Sequence, residues 1–105
     1  MEQKCLCGSR AFALGEGLFF IVDDLKEGKA TAPEDLELVG AAIRGLSYCG
    51  IDAAPLEKKF EALKASVEKL RGAKTSYEAH RFGMDALLDH DNLEKAIGDA
   101  LECSK

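Results

Sequence analysis

Tryptophan is missing from this chain of 105 residues, which also has only two tyrosines, two histidines and two prolines. With so few aromatic side chains there are few of the platforms on which single-stranded nucleic acid stacks. A net charge of −5 and a pI near 5.0 point the same way, because phosphate backbones call for a basic face. No nucleic-acid partner is expected. The acidic excess sits in residues 1–52, where nine acidic residues face five basic ones.

Long hydrophobic runs are absent too. The longest, Ala11–Val22, is interrupted by Glu16 and stops at Asp23-Asp24. It is far shorter than the roughly 20 residues that cross a bilayer, and it lacks a small-x-small cleavage site. It is read as neither span nor signal peptide, so a cytoplasmic protein with no membrane partner is expected. Catalytic signatures are missing as well: no G-x-S-x-G elbow, no Gly-rich phosphate loop, no C-x-x-C-H haem attachment. Nor does a glutamate stand three residues before either histidine, as carboxylate-bridged metal bundles require. Nothing here supports an enzyme.

What is present is helical punctuation. Gly28, Gly50 and Gly72 each close an apolar-periodic stretch, the place of a left-handed cap. Thr31–Glu34 and Thr75–Glu78 both fit the capping box, and Asp52 precedes a first turn containing Pro55. Helix 3 carries Leu56, Phe60, Leu63, Val67 and Leu70 at alternating spacings of four and three. Helix 2 shows Leu36, Val39, Ile43 and Leu46, and helix 1 has Leu14, Leu18, Ile21 or Val22, and Leu25.

The last segment divides into two stripes. One is Tyr77, His80, Met84, Leu87 and Leu88; the other is Leu93, Ile97 and Leu101. They are out of phase by about 140°, and Asp91–Glu94 is itself a capping box. The expectation is a break near 90–92, giving helix 4 over 76–89 and a short helix 5 over 92–103; a single bent helix is the other way to draw it. Strand-like alternation is nowhere sustained. The expected fold is a single all-α domain spanning 1–105, with residues 1–8 as an N-terminal segment. Short links make it an up-and-down four-helix bundle with a short additional C-terminal helix.

That path brings Cys5, Cys7, Cys49 and His90 to one end of the bundle. Three thiols and an imidazole form a Cys3His set, suited to zinc or an iron–sulfur cluster, with Asp52, Asp89 and Asp91 near enough in the scheme to orient the ring. Cys5–Ser9 resembles the first half of the small zinc-binding tail of bacterial secretion ATPases. The resemblance covers five residues, and the downstream ligand pair of that motif is absent. A disulfide from Cys5 or Cys7 to Cys49 and unlinked thiols are the competing readings, the last favoured by a reducing compartment.

Helix 1 is apolar around more of its girth than one core face needs. Phe12 and Phe19 lie seven apart, off the core line, with Phe20 alongside. Either helix 1 is the central helix, or this face meets another protein. The second expectation leads to a homodimer or accessory subunit with Phe12, Phe19 and Phe20 at its interface. Gly15, Gly17, Gly40 and Gly45 fit helices that approach closely.

Overall fold

The computed structural model describes the backbone of residues 8–100 and the side chains of residues 14–100. The described residues are helical and contain no strand. Four α-helices, α1 (Gly8–Lys26), α2 (Pro33–Gly45), α3 (Ala54–Arg71) and α4 (Ser76–Ala100), are joined by short links. A 3-10 turn, Leu46–Cys49, extends α2. Each helix packs on two neighbours: α1 on α2 and α4, and α3 on α2 and α4. One aliphatic core runs between them, with Ile21, Ile43, Leu46, Leu63, Val67 and Leu93 fully enclosed.

The stops and starts follow local chemistry. Gly28 and Gly50 adopt φ of 75° and 81°, which side chains resist. Around each, two reversed hydrogen bonds close the helix: Gly28 and Lys29 N–H donate to the Leu25 and Asp24 carbonyls, and Gly50 and Ile51 N–H to those of Ser47 and Leu46. Ile51 tucks into the core behind its cap. Gly72 is different. Its φ is −90°, so α3 ends without a left-handed residue.

At the starts, the Glu78 N–H donates to Thr75 Oγ1 at 3.1 Å, and the Glu78 carboxylate accepts from the Lys74 N–H at 2.9 Å. Asp52 accepts from the Ala54 N–H at 3.1 Å and opens α3. The box expected at Thr31 does not form. Ala32 takes the N-cap position with no side-chain bond, while Thr31 is buried and its hydroxyl has no partner among the described residues. What the link offers instead is the Thr31 carbonyl, which accepts from Arg71 Nη2 at 2.7 Å and ties the α1–α2 connection to the end of α3.

The largest departure from expectation is α4. It is one helix of 25 residues with no break at 90–92, and no separate C-terminal helix begins there. Its inward line is Gly83, Ala86, His90, Leu93 and Ile97, spaced three, four, three, four. Hydrophobicity alone misses that line, because two of its members are too small to register and one is a histidine. Counting His90 as a core residue removes the phase slip. Tyr77, His80, Met84 and Leu88, the conspicuous stripe, face solvent instead.

Small residues let α4 lie close to α1. A Cβ placed on Gly83 would stand 3.8 Å from the Leu25 carbonyl oxygen. Two turns further, His90 Nε2 lies 3.1 Å from the Leu18 carbonyl oxygen. As α4 advances from 83 to 90, α1 therefore recedes from 25 to 18, and the two run in opposite directions. Ser66 on α3 donates to the Asp89 carboxylate, fixing the other side of α4.

Two predictions follow from these contacts. His90→Ala removes a side chain that is 2% exposed and should cost about 2–4 kcal/mol of unfolding free energy. Met84→Ala and Leu88→Ala should each stay within about 0.5 kcal/mol, both read by urea denaturation. The second concerns Glu68, whose carboxyl is held below its usual range first by its hydrogen bond from Arg71. A carboxyl lowered in the folded state stabilises above its unfolded pKa and stops doing so as pH falls through the folded one. Glu68→Gln should therefore flatten the acid limb of the stability–pH curve, slightly, since the pair is exposed.

Candidate protein-interaction surface

Successive residues of a helix point about 100° apart. On α1, two adjacent positions are committed to two different neighbours. Gly17 faces α2, where an added Cβ would come within 2.7 Å of Val39 Cγ2. Leu18 faces α4, with its carbonyl on His90. The buried line Leu14, Leu18, Ile21 and Leu25 lies along these seams. Residues 16, 19, 20 and 23 are left on the far side, and all four are exposed.

Two of them are phenylalanines. Phe19 is 64% exposed and Phe20 is 61% exposed. Their rings meet edge to face, with centroids 6.2 Å apart and planes at 68°, an arrangement that favours the pair but leaves most of both rings wet. Leu38, 70% exposed on α2, joins them. Between the helices runs a groove floored by Gly17, Val39 and Ala42, walled by Phe20 and Leu38, with Glu16 at its edge. It continues over Gly15 to Phe19.

The idea that α1 is the central helix therefore fails, because one side of it is open. Of the three residues expected at an interface, Phe19 and Phe20 share one exposed face, and the side chain of Phe12 lies outside the described residues. Leu38 was missed. Its signal was available, since it falls off the helix 2 line of Leu36, Val39 and Ile43. Exposed apolar residues elsewhere are more dispersed. Tyr77, Met84 and Leu88 run single file along α4 with Arg81 and Asp85 among them, a pattern that surfaces commonly show.

The glycines separate into two kinds. Gly17 and Gly40 are close-approach positions, the second with Phe60 Cε2 only 2.9 Å from where its Cβ would be. Gly15 meets nothing within 4 Å among the described residues.

Of the residues expected to hold a metal, Cys49 and His90 are the two whose surroundings are described. Cys5 and Cys7 lie outside the described residues, as does Cys103. Cys49 is buried and disulfide-bonded, and its partner lies outside the described residues. A sulfur in that bond is not open to a metal ion. His90 is not at the end of the bundle, because α4 continues ten residues beyond it. It faces Leu18, ten residues into α1, or about 15 Å from the start of that helix.

Of the three aspartates expected to orient the ring, only Asp91 reaches it, with Oδ1 3.2 Å from Nδ1. Asp52 accepts from the first N–H of α3 and Asp89 pairs with Ser66. A carbonyl only accepts, so Nε2 carries its hydrogen toward Leu18. Glu94 completes a group whose ligand atoms lie within 4.8 Å of one another, with both carboxylates exposed. His80 and Met84 are exposed. At the start of α4 the Glu78 N–H is engaged by Thr75 and the Lys74 N–H by the Glu78 carboxylate, while Arg71 is engaged by Glu68 and the Thr31 carbonyl.

Comparison with known proteins identifies no matching family, and no curated protein or solved structure is significantly similar to the chain. Among the described residues no helix is long and apolar enough to cross a membrane.

The two glycines of the groove make opposite predictions. Gly15→Ala gains helix propensity in open space and should raise stability by up to about 1 kcal/mol. Gly17→Ala makes the same gain but drives a methyl into Val39, for a net loss of about 1–2 kcal/mol. Paired thermal and urea melts would check both signs.

Proposed function

We propose that this chain is a non-enzymatic helical-bundle protein that works by protein–protein contact, as a homodimer or as an accessory subunit. The reading treats the four helices as an up-and-down bundle whose α1–α2 face is the working surface. The observation that carries it is the shared exposure of Phe19, Phe20 and Leu38 on two adjoining helices. Fully burying a phenylalanine or leucine favours the buried state by about 1.5–3 kcal/mol. Three such side chains on one patch give a partner a centre on which to form an interface.

Metal binding by Cys5, Cys7, Cys49 and His90 is the alternative, and it has less behind it. Cys49 is already bonded through its sulfur, and His90 turns its nitrogens to Leu18 and Asp91. Elemental analysis of protein purified without chelator separates the two readings: a stoichiometric metal would favour the alternative. The cytoplasmic location expected from composition requires the Cys49 disulfide to be reduced in the cell, because such bonds persist mainly in oxidising compartments.

The double variant Phe20→Ser/Leu38→Ser is the direct test of the contact. Both side chains are exposed, so melting should change little. Concentration-dependent mass in sedimentation, where the wild type shows it, should disappear in the variant. A wild-type monomer at every concentration removes the homodimer and leaves the accessory subunit.

A further inference from the structure

We infer that the α1–α2 groove receives a basic amphipathic helix from a different protein, with the apolar residues of that helix between Phe20 and Leu38 and its lysines or arginines on a ring of four carboxylates. This rests on the protein-contact reading above and specifies the partner.

The ring comes from helical spacing. Glu16 and Asp23 stand one turn before and one turn after Phe20, on the same face of α1. Glu34 and Asp35 stand one turn before Leu38 on α2. All four are exposed. No lysine or arginine lies three or four residues from Phe19, Phe20 or Leu38 in either direction.

Three acidic residues pair with a lysine or arginine among the described residues: Glu27 with Lys29, Glu37 with Lys64, Glu68 with Arg71. Glu16, Asp23, Glu34 and Asp35 have no ion-pair partner among the described residues. The exposed apolar centre is thus bordered by carboxylates that no cation neutralises among the described residues.

That combination selects among occupants. A second copy docked through the same face would bring these carboxylates against their own equivalents, and like charges across an interface are costly. An anionic lipid surface is repelled for the same reason. A helix with leucine-like residues at i, i+3, i+4 and i+7 and cationic flanks satisfies both the groove and its rim. The groove's small floor, Gly17 and Ala42, leaves room for side chains to enter between the walls.

The experiment uses the full chain and a synthetic helix of about five turns, roughly 18 residues, built of leucine and lysine in that pattern. A leucine–glutamate peptide of the same pattern is the control. Binding is followed by calorimetry and by amide chemical shifts in the isotope-labelled protein. The lysine peptide should bind one to one, with shifts concentrated at residues 15–23 and 34–42, and weaken as salt rises. The glutamate peptide should bind about tenfold more weakly or worse. So should the lysine peptide to Phe20→Ser/Leu38→Ser, and to a variant with Glu16, Asp23, Glu34 and Asp35 replaced by the matching amides. Circular dichroism confirms that each variant is folded.

Absent binding, or shifts spread over the acidic surface and indifferent to Phe20→Ser/Leu38→Ser, would overturn the inference. A self-dimer through the patch that excludes the peptide would also overturn it, while leaving the protein-contact reading standing. If that double variant changes neither self-association nor peptide binding, both readings fall together.

Discussion

The close approach of α1 to two neighbours at once is the constraint from which the rest follows. Gly17 admits α2 to van der Waals distance, and the next residue, Leu18, lends its carbonyl to His90 on α4. Because the two positions differ by about 100°, the buried sector of α1 is fixed at roughly that width plus the reach of its leucines. No rotation of the helix can hide Phe19 and Phe20 without opening one seam or the other. Their exposure is thus a consequence of how α1 is held. The same constraint explains why α2 contributes Leu38 to the open face, since Val39 is taken up against Gly17.

The contact with His90 carries a further consequence for α4. A helix that lines its core face with Gly83, Ala86 and a histidine has little apolar area to bury. It compensates through proximity, since small residues bring backbones together and dispersion falls steeply with distance. The imidazole fills space that an aliphatic side chain would otherwise take, and a buried polar ring is tolerated because the Leu18 carbonyl accepts its N–H. Ser66 and Asp89 play a comparable part on the α3 side. Polar contacts here set the position and rotation of α4, while Leu93 and Ile97 supply much of its hydrophobic attachment.

How much of this was readable beforehand differed from helix to helix, for physical reasons. Helices 2 and 3 announce themselves because their core lines are made of leucine, valine, isoleucine and phenylalanine. The caps at Gly28 and Gly50 were legible because a left-handed residue nearly requires glycine, whereas Gly72 occupies a conformation open to many residues and its identity was misleading. The line on α4 was hidden, since Gly83 and Ala86 have no apolar periodicity to detect and His90 reads as polar. The place expected for His90 in a Cys3His set was misjudged on the same helix. Chain parity told which end of the bundle a helix approaches but not how far the helices run past one another. His90, placed at that end with or without a break at 90–92, is in fact well along a continuous helix. For the surface, Phe19 and Phe20 were visible as excess apolarity, and Leu38 was legible as a leucine off the helix 2 line; that the three adjoin follows from how α2 meets α1.

The open face also bears on the balance between folding and association. A domain of this size is stabilised by only about 5–15 kcal/mol, and two phenylalanines left in water forgo several kcal/mol that burial would give. Serine or lysine at those positions would satisfy the fold equally well, because neither seam uses the side chains of residues 19 and 20. Folding therefore does not require them. The four unneutralised carboxylates beside them are equally dispensable to the core, and they make the patch poorly suited to sticking to itself. Apolar centre and acidic rim each have an unfavourable aspect in the isolated chain, one toward water and the other toward like charge. A single kind of occupant, apolar on one face and cationic at its edges, relieves both.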